Sequence, residues 1–338
     1  MLRLLSAYKD ASLVRSRDPS QLSKCDIVVD VGGEYNASNH RYDHHQRTFS
    51  ETFPNRATKL SSAGLVWLHF GKSIIAAVTG LSEDIPEVQI LWDKLYLEFV
   101  EAIDAHDNGI SVYDSAKLAE AGIEKRFSNG SNTLSALVGD LNPDWNDPAP
   151  SNPEDAQRAE DARFQEASRF IGEIFQRKLS YYAKSWLPAR SIVQAAYTDR
   201  RGHDPRGRIM VFDRSIPWKA HLYNIEAEEQ QQQSTTSTTS AENQSNSEKN
   251  DQEDKVLYVL YPESTSPDSK WRIQAVPVTE SSFESRKPLP EAWRGIRDEK
   301  LDEVTGIPGS IFVHASGFIG GHRSREGVMK MARKALES

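Results

Sequence analysis

The run Cys25-Asp26-Ile27-Val28-Val29-Asp30, closed by Val31-Gly32-Gly33, constrains this chain more than any other stretch. It is apolar, β-branched and too short for a stable helix. A tight turn follows it at once. Together these features describe a buried parallel strand. Apolar residues then recur at helical spacing over 60–68 and 74–78. Residues 89–105 carry Leu91, Trp92, Leu95, Tyr96, Phe99 and Val100 on or near one face, the mark of an amphipathic helix. Strand and helix in alternation imply an α/β fold, a parallel sheet with helices on its faces. Residues 1–10 read as the tail of a helix, with Ala11 to Val14 as a strand. Asp10 and Asp18 interrupt what would otherwise have the flavour of a mitochondrial presequence.

The chain has 338 residues, enough for two domains. Residues 108–150 are rich in Gly, Asn, Asp and Pro, with a short helix expected over 132–141. A long helix is expected over 153–183, then a break at Trp186-Leu187-Pro188 and a further helix. Strands are expected over 209–212, 256–261, 271–276 and 311–314, with a terminal helix over 324–336. This places domain limits at 1–150 and 201–338, joined by helices over 151–200. Within the second domain, residues 226–254 are low-complexity and hold no aromatic residue, so a disordered insertion is expected there. No apolar run approaches the roughly 20 residues of a membrane span. The single cysteine, Cys25, excludes an intramolecular disulfide and a cysteine-built zinc site. A net charge of −8 does not match a duplex-DNA binder. It is compatible with a metal enzyme, because bound cations reverse the sign of an acidic site.

Three sites carry candidate chemistry. Asp30 closes the first strand, at the sheet edge where open α/β folds bind ligands. Asp43-His44-His45 follows a segment that reads as another strand. Asp104-Ala105-His106-Asp107 precedes the turn Asn108-Gly109. Carboxylates and imidazoles drawn from several element ends are the ligands that manganese or magnesium takes. A carboxylate that bridges two such ions lets them clamp a phosphoryl group, with no serine or cysteine nucleophile needed. Taken alone, each Asp reads as a turn or cap residue first. Their combination within one α/β unit favours a metal site.

The motifs DVGGEY (30–35), HRYDHHQRTFSETF (40–53), TKLSSAGLVWLHFG (58–71), DAHDNGI (104–110), LNPDWN (141–146), SWLPAR (185–190), WRIQAVP (271–277), LPEAWRG (289–295) and GIPGSIFVHASGFIGGHRSREG (306–327) resemble the Myg exonuclease family, the melanocyte-proliferating-gene relatives within the DHH phosphoesterases. The likeness spans the chain apart from the low-complexity insertion. It implies a catalytic DHH-type domain followed by a smaller DHH-associated substrate domain. It also implies two manganese or magnesium ions, 3′-to-5′ hydrolysis of single-stranded RNA, and residence in mitochondria and nucleus. By motif, Asp30 would bridge the ions and His44 would ligate. Asp43 and His45 would orient the site or contact phosphate. Asp107 would be the last ligand, with Asp104 contesting that role. In the second domain, Gly320, Gly321, His322 and Arg323 resemble a glycine-rich phosphate motif, and His314 is placed beside them. Arg286 and Arg294 are weaker phosphate candidates, each read first as a surface ion pair. The family opens on a segment of the form His-x-Gly-x-Phe-His-x-Asp-Glu, which this sequence does not contain. The expectation is therefore a chain lacking its first metal motif, with one ion's ligands incomplete and catalysis weakened. A small-molecule phosphoesterase or pyrophosphatase and a catalytically inactive RNA-binding protein stay open beside the exonuclease.

Overall fold

Strand β1 (Val28–Val29) runs parallel to β3 (Arg41–Tyr42), with Val28 opposite Arg41 and Val29 opposite Tyr42. Strand β2 (Tyr35–Asn36) pairs with β3 antiparallel. Only residues 37–40 link β2 to β3, too few for the crossover a parallel pair needs. The first sheet, in the order β1-β3-β2, is therefore mixed rather than wholly parallel. The computed structural model describes residues 1–124, 126–128, 130–148, 150–236 and 255–338. The chain is mixed α/β and divides into two compact units, Met1–Lys184 and Ser185–Ser338, each with its own sheet.

In the first unit a short α1 (Pro19–Leu22) precedes β1. Helix α2 (Ser62–Thr79) merges the two helical stretches read from sequence. It is long and apolar enough, by length and composition, to cross a membrane. Leu65, Val66, Trp67, Ile74 and Ile75 are nevertheless buried within this unit, so packing accounts for the apolar character. Helix α3 (Pro86–Leu95) passes through a π-helical stretch, Tyr96–Val100, into α4 (Glu101–Asp107). The indoles of Trp67 and Trp92 donate to each other's backbone carbonyls, 3.1 Å each, and lock α2 to α3. Two short helices, α5 (Ser115–Glu120) and α6 (Leu134–Gly139), follow, and then α7 (Pro153–Tyr181). Residues 11–14 form no strand, and Leu13 and Val14 stay half exposed. What holds that segment is Arg15, which pairs with Glu160 and Asp161 of α7 at 2.6 and 2.7 Å.

The second unit begins inside the π-helical stretch Tyr182–Trp186 and continues into α8 (Leu187–His203). The break expected at Trp186-Leu187-Pro188 is absent. Pro188 lies in the first turn of α8, where its missing N–H costs nothing. The second sheet runs β4 (Ile209–Val211), β5 (Tyr258–Pro262), β6 (Trp271–Ala275), β8 (Ile319–His322), β7 (Ser310–Val313). Val193, Tyr197, Leu222 and Ile225, from α8 and α9 (Lys219–Thr236), pack on Met210 and Val259. On the opposite face α10 (Asp298–Thr305) and α11 (Arg325–Glu337) cover Ile273, Ala275 and Val313 through Leu301, Val328 and Met331.

Helix α9 corrects the expected insertion at its start. Residues 226–236 are helical, and the remainder, 237–254, lies outside the described residues. Glutamate and glutamine are good helix formers, and three glutamates are held from other elements. Glu226 accepts both guanidinium arms of Arg286, at 2.8 and 2.6 Å. Glu228 pairs with Arg190 at 2.7 Å. Glu229 accepts from the Tyr197 hydroxyl. Arg286 is thus occupied by a structural ion pair and not presented to phosphate. The side chains of Arg286 and Glu226 are only 11% and 9% exposed. Glu226→Ala would leave the guanidinium buried without its counter-charge, and is expected to cost about 3–5 kcal/mol in urea unfolding. A loss below about 1 kcal/mol would show that the pair does not hold α9.

Candidate functional site

The parallel register of β1 and β3 brings Asp30 and Asp43 to the same sheet edge, directly beyond Val29 and Tyr42. The Asp30 N–H donates to the Tyr42 carbonyl at 3.1 Å, the last bond of that ladder. Asp30 itself has φ of 69°, the left-handed region that a side chain other than glycine seldom adopts. Gly33, with φ of 67°, completes the turn and aims its N–H at Asp43 Oδ2, 2.7 Å away. The double glycine read as a turn is thus also a donor to the site.

Asp43 is buried, and its Oδ1 receives His45 twice, from the backbone N–H at 3.1 Å and from ring Nδ1 at 2.6 Å. Burial pushes the Asp43 carboxyl up. The hydrogen bonds from Gly33 and His45 more than reverse this and hold it below the ordinary carboxylate value. Asp43 therefore orients His45, whose side chain stays 61% exposed. His44 points inward, its side chain 4% exposed, and its two ring nitrogens have different partners. Nδ1 lies 3.1 Å from the Ser62 hydroxyl and 3.7 Å from Asp30 Oδ1. Nε2 lies 2.8 Å from Asp107 Oδ2. Asp30, His44 and His45 each place a ligand atom within 4.8 Å of the others, a group able to hold a metal ion. Asp107, 46% exposed, reaches this group through His44.

Asp104 does not join that group. It is fully buried, and its Oδ1 accepts from the Ser61 N–H at 3.0 Å and the Ser61 hydroxyl at 2.7 Å. Its Oδ2 accepts from the Tyr96 hydroxyl at 3.0 Å. Burial pushes its carboxyl up against the opposing pull of these donors. The carboxylate fills the space beside Gly64 of α2, where a Cβ would collide with it. The sequence reading missed Ser61, Ser62 and Tyr96. A signal was present in Ser61-Ser62 ahead of an apolar run, the mark of a helix N-cap. Ser61 indeed caps α2, accepting from Ala63 N–H at 3.1 Å.

In the second unit the glycines of the motif lie in a strand. Gly320 and Gly321 lie within β8, between β6 and β7, and pair in both ladders. His322 is buried. Its Nδ1 accepts from the Ser324 N–H at 2.9 Å, so Nε2–H donates to the Pro308 carbonyl at 3.0 Å. Arg294 donates Nε–H to the Leu289 carbonyl at 2.9 Å. His314 and Arg323 are exposed, with His314 Nδ1 bonded to the Ser316 hydroxyl at 2.9 Å.

The family model for MYG1 exonuclease, described as Uncharacterised protein family (UPF0160), matches residues 1–336. The chain belongs to this family. It is 47% identical to the MYG1 exonuclease of Homo sapiens, over 99% of this chain and 81% of that one. A MYG1 protein of Caenorhabditis elegans is 44% identical, over 100% and 90% of the two chains. One from Dictyostelium discoideum is 40% identical, over 99% and 91%. No solved structure matches. Membership in the MYG1 family supports a nuclease role for this chain, and hence a hydrolase.

Because folding depresses the Asp43 carboxyl, its stabilising contribution is complete above the unfolded value of 3.8 and is lost as pH falls through the lower folded value. In urea unfolding, the stability gap between the unaltered chain and Asp43→Asn is expected to be widest above about pH 5 and to narrow in acid. A gap that does not change with pH would contradict this role for Asp43.

Proposed function

We propose that this chain is a metal-dependent phosphodiesterase that shortens single-stranded RNA from its 3′ end. The observation that carries the reading is the convergence of Asp30, His44 and His45 at the carboxyl edge of a sheet. Their mixed oxygen and nitrogen donors suit manganese, with magnesium as the harder alternative. A divalent cation supplies two things when bound: it neutralises phosphate charge and it makes water a better nucleophile at neutral pH.

The side chains divide the work. Asp30 and His44 hold the cation, with Asp107 beside His44 as a further carboxylate. Asp43 fixes the ring of His45, whose exposed position suits contact with the phosphate or the leaving oxygen. The two-ion arrangement implied by the family resemblance needs more ligands than this group. One cluster of three such groups is found among the described residues, and the proposal rests on that one. His314 and Arg323, exposed in the second unit, are the proposed contacts to RNA. Action on RNA in mitochondria and nucleus belongs to the same proposal.

The test is digestion of 5′-labelled single-stranded RNA with manganese, beside an Asp30→Asn/His44→Ala double variant. The expected result is a ladder shortening from the 3′ end, slowed by at least about a hundredfold in the variant. Absence of metal-dependent shortening by the unaltered chain would overturn the proposal. Hydrolysis of pyrophosphate with long RNA untouched would replace it with a small-molecule phosphoesterase.

A further inference from the structure

Both nitrogens of His44 are tied to elements that a single clasp holds together. The Ser62 hydroxyl, at the start of α2, meets Nδ1. Asp107, at the end of α4, meets Nε2. Asp104, one helical turn before Asp107, grips Ser61, the neighbour of Ser62. The chain of contacts therefore closes on itself: Ser62 to His44, His44 to Asp107, along α4 to Asp104, and across to Ser61. A ring so placed has little freedom to turn. Metal-binding imidazoles commonly donate their second N–H to a fixed acceptor, which sets tautomer and orientation.

We propose that Ser62 is a positioning residue for His44. When a cation is bound, its hydroxyl oxygen would accept the Nδ1 proton, and Nε2, which donates to the Asp107 carboxylate in the metal-free chain, would become the ligand atom. The Asp104–Ser61 clasp sets the distance between α2 and α4 at which both contacts are made. This inference rests on the proposal that His44 binds a divalent cation. It makes no use of RNA as the substrate. The hydroxyl of Ser62 is its relevant group: the residue follows the N-cap Ser61, and alanine is well tolerated at that helical position.

The experiment is manganese titration of the full chain, with free manganese read by electron paramagnetic resonance. Histidine-nitrogen modulation of the bound ion is recorded from ¹⁵N-labelled protein. Ser62→Ala is expected to weaken manganese binding about ten- to hundredfold and to reduce the histidine modulation. Its unfolding midpoint in the metal-free form should match that of the unaltered chain. Ser62→Thr, which restores the hydroxyl, should recover most of the affinity. Unchanged affinity and modulation in Ser62→Ala would overturn the positioning role. So would an affinity loss that merely follows a loss of fold and is not recovered by threonine. Failure of the unaltered chain to bind manganese would overturn both this inference and the metal reading beneath it, and is distinguished by that first titration.

Discussion

The carboxylate of Asp104 sits out of water among donors that include the N–H and hydroxyl of Ser61 and the hydroxyl of Tyr96. Burying such a charge costs several kcal/mol unless its oxygens are well satisfied. Here the donors come from the start of α2 and from the π-helical stretch that leads into α4. The carboxylate can be accommodated only because Gly64 has no side chain. The consequence reaches the surface. The elements it joins present Ser62 and Asp107, the partners of the two His44 nitrogens. A side chain buried for stability thus governs the geometry of one at the site.

A second constraint comes from the sheet. Two residues of parallel pairing, Val28 with Arg41 and Val29 with Tyr42, are enough to bring Asp30 alongside the Asp43-His44-His45 run. The left-handed backbone of Asp30 and the turn through Gly33 then direct the carboxylate and a donor N–H to one place. Local strain of this kind persists only where the surroundings fix it, and such positions cluster at functional sites. Acidic and imidazole groups gathered at that edge also reconcile a net charge of −8 with a nuclease family. On the proposed reading, a bound cation would offset the acidic groups at that edge where phosphate approaches.

The parallel strand before Asp30 could be read from sequence, because a β-branched run closed by two glycines has few other outcomes, but only Val28–Val29 of the expected run 25–30 pairs and only Val28 is buried. The helix over 153–181 was legible for a similar reason, its length and periodicity. Asp104 and Asp107 could not be told apart. Both are aspartates one turn apart on one helix, and burial against Ser61 and Tyr96 depends on α2, far away in sequence. The start of α9 was misread because its glutamates look solvated until Arg286, Arg190 and Tyr197 arrive from other elements. Paired glycines before a histidine resembled a glycine-rich phosphate motif, with a strand-to-helix turn as the plainer reading. The register of β8 shows another use, a strand whose glycines leave room for Arg272 and Leu289 against the sheet.

The central claim is that the side chains gathered at this edge hold a divalent cation. Anomalous X-ray scattering from crystals grown with manganese tests it most directly. A peak within bonding distance of Asp30 and His44 is the expected result. A well-ordered site with no peak there, or with manganese bound only elsewhere on the chain, would contradict it.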